Sequence, residues 1–144
     1  MPAGKYWVGD LCYVMHEEWD EVCNLFFAGR NDQGCNQGEF TLKDGRRFAS
    51  FNTKWGDGSY LDQYGNSYGV DAGLIGCIRI DDIREYSIAS DAEGPFAGGH
   101  IVEFATDFEV SGNETDRRDW SGIIRIGPLT IDTDPMYSEY EREY

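Results

Sequence analysis

Between Trp55 and Gly76 the chain concentrates side chains that could hold a ligand. Trp55, Asp57, Tyr60, Asp62, Tyr68 and Asp71 fall close together in a run punctuated by glycine. Aromatic rings beside carboxylates suit a cation, a hydrogen-bonding small molecule or an arginine from a partner, and glycines allow close approach. Gly65-Asn66 reads as the two-residue turn of a hairpin. Asp62 then pairs with Gly69 and Tyr60 with Asp71, so Tyr60, Asp62, Tyr64, Gly69 and Asp71 share one face. Leu61, Tyr68 and Val70 share the other. Tyr68 remains a candidate because a shifted register would move it. The plainer reading is a glycine-rich meander whose carboxylates cap turns.

A second set is purely acidic. Residues 101–110 alternate, with Val102, Phe104, Thr106, Phe108 and Val110 on one face and Glu103, Ala105, Asp107 and Glu109 on the other. Alternate strand residues stand about 6.6 Å apart, comparable with phosphate spacing along a nucleic-acid strand. Glu103, Asp107, Glu109, Asp132 and Asp134 are therefore candidates for a surface that imitates a phosphate backbone and blocks a basic groove. The plainer reading is a solvated face that keeps the protein soluble. The chain as a whole carries 27 acidic and 12 basic residues, a formal net charge of −15. Such a field repels nucleic acid and anionic membranes and attracts basic protein surfaces.

Other chemistries are poorly supplied. An EF-hand loop needs an oxygen ligand where Leu61 stands, which leaves only Asp57, Asp62 and Asp71 for a different calcium site. Cys12, His16, Cys23 and Cys35 contain no Cys-x-x-Cys pair, so no zinc site is expected. Neither His16 nor His100 lies in a catalytic motif, and no motif implies a cofactor. The expectation is a non-enzyme. No apolar run approaches the ~20 residues a membrane helix needs, and the N-terminus lacks the apolar stretch of a signal peptide. A cytoplasmic protein with free thiols is expected.

The positioning elements follow from periodicity. Lys5–Val14 reads as a strand with a bend at Gly9-Asp10. Met15, Trp19, Val22, Cys23 and Phe26 recur at helical spacing, with Glu17, Glu18, Asp20 and Glu21 opposite and Gly29 as terminator. Glu39–Leu42 and Arg46–Trp55 form a hairpin around Asp44-Gly45. A three-residue loop there, setting Leu42 beside Phe48, buries apolar groups better than a two-residue loop. Leu74–Ile80 reads as a central strand and Ala89–Gly99 as a loop. Ile123–Ile126 and Leu129–Thr133 complete the sheet, with Gly127-Pro128 marking an edge or bulge. The pattern predicts a mostly β, α+β domain over residues 1–133. It is an antiparallel sheet or partly closed barrel of about eight strands with one packed helix. Residues 134–144 form an acidic Tyr/Glu tail with no core pattern.

Three segments, Val8-Gly9-Asp10-Leu11-Cys12-Tyr13-Val14, Gly56-Asp57-Gly58-Ser59-Tyr60 and Val70-Asp71-Ala72-Gly73-Leu74-Ile75-Gly76, resemble small uncharacterised proteins of bacteria and their phages. Leu11 stands where the group would have Pro. The resemblance carries no activity and implies a small accessory protein. Two functional expectations follow. One is a non-catalytic acidic interaction protein, an inhibitor that mimics nucleic acid. The alternative is a small-molecule or cation-binding module using Trp55, Asp57, Tyr60, Asp62, Tyr68 and Asp71.

Overall fold

The computed structural model describes residues 1–28, 36–83, 98–113 and 121–134. Among these residues ten strands form: β1 (Gly4–Gly9), β2 (Gly38–Thr41), β3 (Arg47–Asn52), β4 (Gly58–Asp62), β5 (Ser67–Val70), β6 (Leu74–Arg79), β7 (His100–Phe104), β8 (Val110–Gly112), β9 (Ile123–Ile126) and β10 (Leu129–Asp132). Helix α1 spans Trp19–Phe27, and short 3-10 turns occupy Leu11–Tyr13 and Ile80–Asp82. The β-rich antiparallel architecture with one packed helix is as expected. Its strands divide between two five-stranded sheets, ordered β2-β3-β6-β1-β7 and β5-β4-β10-β9-β8. No helix among the described residues is long and apolar enough to cross a membrane.

Alternation explains the layering. In the first sheet Tyr6, Val8, Ala49, Phe51, Ile75, Cys77 and Phe104 point toward the second, where they meet Tyr60, Tyr68, Val70, Ile124, Ile126, Leu129 and Ile131. Trp7, Phe48, Leu74 and Ile78 point the other way and pack with Leu11, Met15, Val22 and Phe26 beneath α1. The predicted helical stripe is thus the buried one, although Met15 precedes the helix. Its acids are not all solvated: Glu18 lies 3.5 Å from Arg46, and Glu21 accepts the Lys43 N–H at 2.6 Å. They hold the β2–β3 turn against the helix.

Both hairpins close through three-residue loops. Gly45 N–H donates to the Leu42 carbonyl and Leu42 N–H to the Arg46 carbonyl, at 2.9 and 2.8 Å. Gly65 and Asp62 repeat the pattern, with bonds to Asp62 and Asn66 at 3.1 and 3.0 Å. The last loop residue is left-handed in each, with φ of +97° at Gly45 and +85° at Gly65, the turn-plus-bulge that glycine permits. The expected registers are corrected accordingly. Phe40, not Leu42, stands opposite Phe48, and Leu42 faces Arg46. In the second hairpin Tyr60 pairs with Tyr68 rather than Asp71.

The uninterrupted strand expected over 101–110 is also corrected. The chain leaves the first sheet after Phe104 and joins the second at Val110. Phe104 and Phe108 stack with ring centroids 4.0 Å apart, and both meet Tyr6 edge-on. In one straight strand the two would stand about 13 Å apart, so burying both beside Tyr6 requires the chain to fold back. Gly127-Pro128 marks neither an edge nor a bulge but the tight β9–β10 turn, with Gly127 at φ +57°. Gly29, Cys35, most of Ala89–Gly99, Arg117-Arg118 and the tail from 135 onward lie outside the described residues.

Candidate functional site

The three segments that carry the resemblance meet at one corner, where they hold the fold together. Asp10 is fully buried. Its Oδ1 accepts the Cys12 N–H at 3.0 Å, and its Oδ2 accepts those of Asp71 and Ala72 at 2.8 and 2.6 Å. The Thr53 and Tyr60 hydroxyls both donate to the Gly56 carbonyl, at 2.6 and 2.9 Å. A buried carboxylate that accepts from three backbone donors is a joint between strands. Burial, followed by the neighbouring Asp10 carboxylate, pushes the Cys12 thiol up to about 12. It is therefore no nucleophile at neutral pH.

The ligand set from 55 to 71 is divided by the shifted register. Tyr60, Asp62 and Tyr68 turn into the core between the sheets. Asp62 accepts four hydrogen bonds: from Tyr64 N at 2.9 Å, Asn66 N at 3.0 Å, Asn66 Nδ2 at 3.2 Å and the Tyr68 hydroxyl at 2.8 Å. Burial raises its pKa, but these donors outweigh burial and hold it below the usual carboxylate value. Tyr68 is shifted upward, first by burial and then by Asp62. Only Trp55, Asp57 and Asp71 of the set remain exposed. Among the described residues no group of three or more His, Cys, Asp or Glu side chains is placed to hold a metal, so Asp57, Asp62 and Asp71 do not converge.

The acidic set is likewise dispersed. Glu103 lies on β7 opposite Lys5. Asp107 sits in the crossing between sheets, where it accepts the Ala3 N–H at 2.9 Å. Glu109 lies where two open grooves adjoin, of about 460 and 420 Å³. The Arg47 and Glu39 that line them are already an ion pair. Asp132 and Asp134 fall together, by strand alternation, on the outer face of the second sheet.

That face has a distinct composition. Asp132 stands in register between Leu61 of β4 and Ile123 of β9. Leu61 is 44 % exposed with Ser59 and Ser67 exposed beside it, and Arg125 is exposed two strands away on β9. No described element packs over it, whereas α1 covers the corresponding face of the first sheet. At its margin Asp134 accepts the Trp55 indole N–H at 2.9 Å and pairs with Lys54 at 3.4 Å. Trp55 and Asp134, assigned by sequence to different candidate sites, are thus one feature. Leu61 and Ile123 were absent from both sequence-derived sets; the two-residue turn grouped Leu61 with Tyr68 and Val70, whereas the observed register turns Leu61 outward and buries the other two. No protein-family model, curated protein or solved structure matches this chain.

Proposed function

We propose that this chain is a non-catalytic acidic interaction protein that binds the basic surface of a partner protein through the outer face of its second sheet. The observation that carries the reading is the row Leu61–Asp132–Ile123 on a face no described element covers. An exposed tryptophan is the kind of side chain interfaces are enriched in, and Asp132 and Asp134 beside it supply the complementary charge a basic partner would meet. The net charge of −15 supplies long-range attraction to a basic partner. A nucleic-acid-handling protein is the natural counterpart, and occupying its groove would make this chain an inhibitor. The mimicry then rests on the sign of the field, because Glu103, Asp107 and Glu109 form no evenly spaced ladder. We place the protein in the cytoplasm, where its thiols stay reduced. The small-molecule alternative loses its centre, since Tyr60, Asp62 and Tyr68 serve the core.

The test is a pull-down from nuclease-treated lysate, washed at low and then high salt. It compares the native protein with Asp132→Lys on the face and Asp20→Lys on the helix side. A basic protein that binds the native chain and Asp20→Lys, elutes with salt and is lost with Asp132→Lys is the expected result. Salt-resistant binding, or equal loss in both variants, would overturn the assignment.

A further inference from the structure

The margin of this face holds an aromatic–carboxylate pair whose cation is supplied from within. Lys54 Nζ lies 3.4 Å from Asp134 Oδ2 and 5.8 Å from the centroid of the Trp55 ring. Asp134 Oδ1 takes the indole N–H at 2.9 Å and so fixes the ring's orientation. The ring is nevertheless 51 % exposed. The turn beneath is pinned at several points. Lys54 N–H donates to Thr133 Oγ1 at 3.0 Å, and that hydroxyl donates to the Gly122 carbonyl at 2.6 Å. Thr53 and Tyr60 both hold the Gly56 carbonyl. The platform is therefore preorganised, while the lysine is held there by a partly exposed ion pair that a competing cation can replace without leaving Asp134 unpaired.

We propose that Trp55 and Asp134 form a receptor for a lysine or arginine side chain of the partner, and that Lys54 is its internal occupant, displaced on binding. The chemistry of the resident group identifies that of the ligand. Tryptophan offers the strongest π face to a cation, and a carboxylate beside it supplies the counter-charge. The inference rests on the basic-partner reading above and assigns it a recognition site.

The experiment follows the indole N–H of Trp55 by NMR in the full chain, identified by its disappearance in Trp55→Phe. The probes are Gly-Arg-Gly and Gly-Lys-Gly capped at both ends, with Gly-citrulline-Gly as the neutral control. The two cationic peptides should shift the Trp55 indole and Asp134 amide signals saturably at low salt, and citrulline should not. Lys54→Met keeps the aliphatic stem and removes the competing charge, so affinity should rise about two- to fivefold. Asp134→Asn, with a native-like spectrum, should abolish the shift. Cationic peptides that perturb Asp132 and Leu61 but leave Trp55 unmoved would overturn this site and leave the basic-partner reading standing. Unchanged affinity in Lys54→Met would show that Lys54 is no competitor and would equally overturn the proposal.

Discussion

Replacing Asp62 separates a structural carboxylate from a ligand-binding one. If Asp62 were a ligand group, its removal would abolish binding and leave folding intact. The structure predicts the reverse. Asp62→Ala strands the Tyr68 hydroxyl, which is 1 % exposed and bonded to Asp62 at 2.8 Å. An unpaired buried hydroxyl costs about 1–3 kcal/mol. The Tyr64 and Asn66 amides lie in an exposed turn and recover water, so each lost bond costs nearer 1 kcal/mol. Together the loss should be about 3–5 kcal/mol, lowering Tm by roughly 10 °C for a chain of this size. Tyr68→Phe removes only the hydroxyl and should cost about 1 kcal/mol. In that background Asp62→Ala should cost about 1–2 kcal/mol less than in the native chain, because the stranded group is gone. Urea denaturation of the four proteins measures the cycle. A cost below about 1 kcal/mol for Asp62→Ala, or no coupling to Tyr68, would refute the account of the β4–β5 turn.

Three further outcomes follow. Because the folded pKa of Asp62 lies below its unfolded value of 3.8, its stabilisation is complete above that value and is lost as pH falls through the lower folded one; the stability gap between native and Asp62→Ala proteins should therefore close on acidification across that window, and a constant gap would contradict it. Gly76→Ala should prevent stable folding, since a Cβ there would lie 1.9 Å from the Ala49 carbonyl oxygen, whereas Gly45→Ala meets only the strain of a positive φ and should cost about 1 kcal/mol; thermal melts distinguish them. Cys12 and Cys77, both pushed up to about 12 chiefly by burial, should resist iodoacetamide at mildly alkaline pH and react only on denaturation; rapid native labelling detected by mass spectrometry would contradict their placement.

Particular residues show what the sequence made legible. The stripe through Trp19, Val22 and Phe26 defined a helix because periodicity reports which side is buried. The same property misled at 101–110. Alternation there is regular, yet it cannot say which sheet a strand joins, and the stacking of Phe104 on Phe108 is a tertiary event. The glycine at each hairpin tip was visible, but such a turn admits two- and three-residue loops. The choice in the second hairpin came from Asp62 meeting Tyr68 and Asn66, a network that exists only in the folded turn. The partition into two sheets depends on pairings such as β4 with β10, which are remote in sequence. So does the joining of Trp55 to Asp134 across 79 positions.

Carboxylate footprinting with a carbodiimide, applied to the free chain and to its complex with the partner recovered at low salt, reads out the binding face residue by residue. Asp132 and Asp134 should lose labelling in the complex while Asp20 and Glu103 label as before. Protection of Asp20 or Glu103, with Asp132 and Asp134 labelled undiminished, would contradict the proposed binding face.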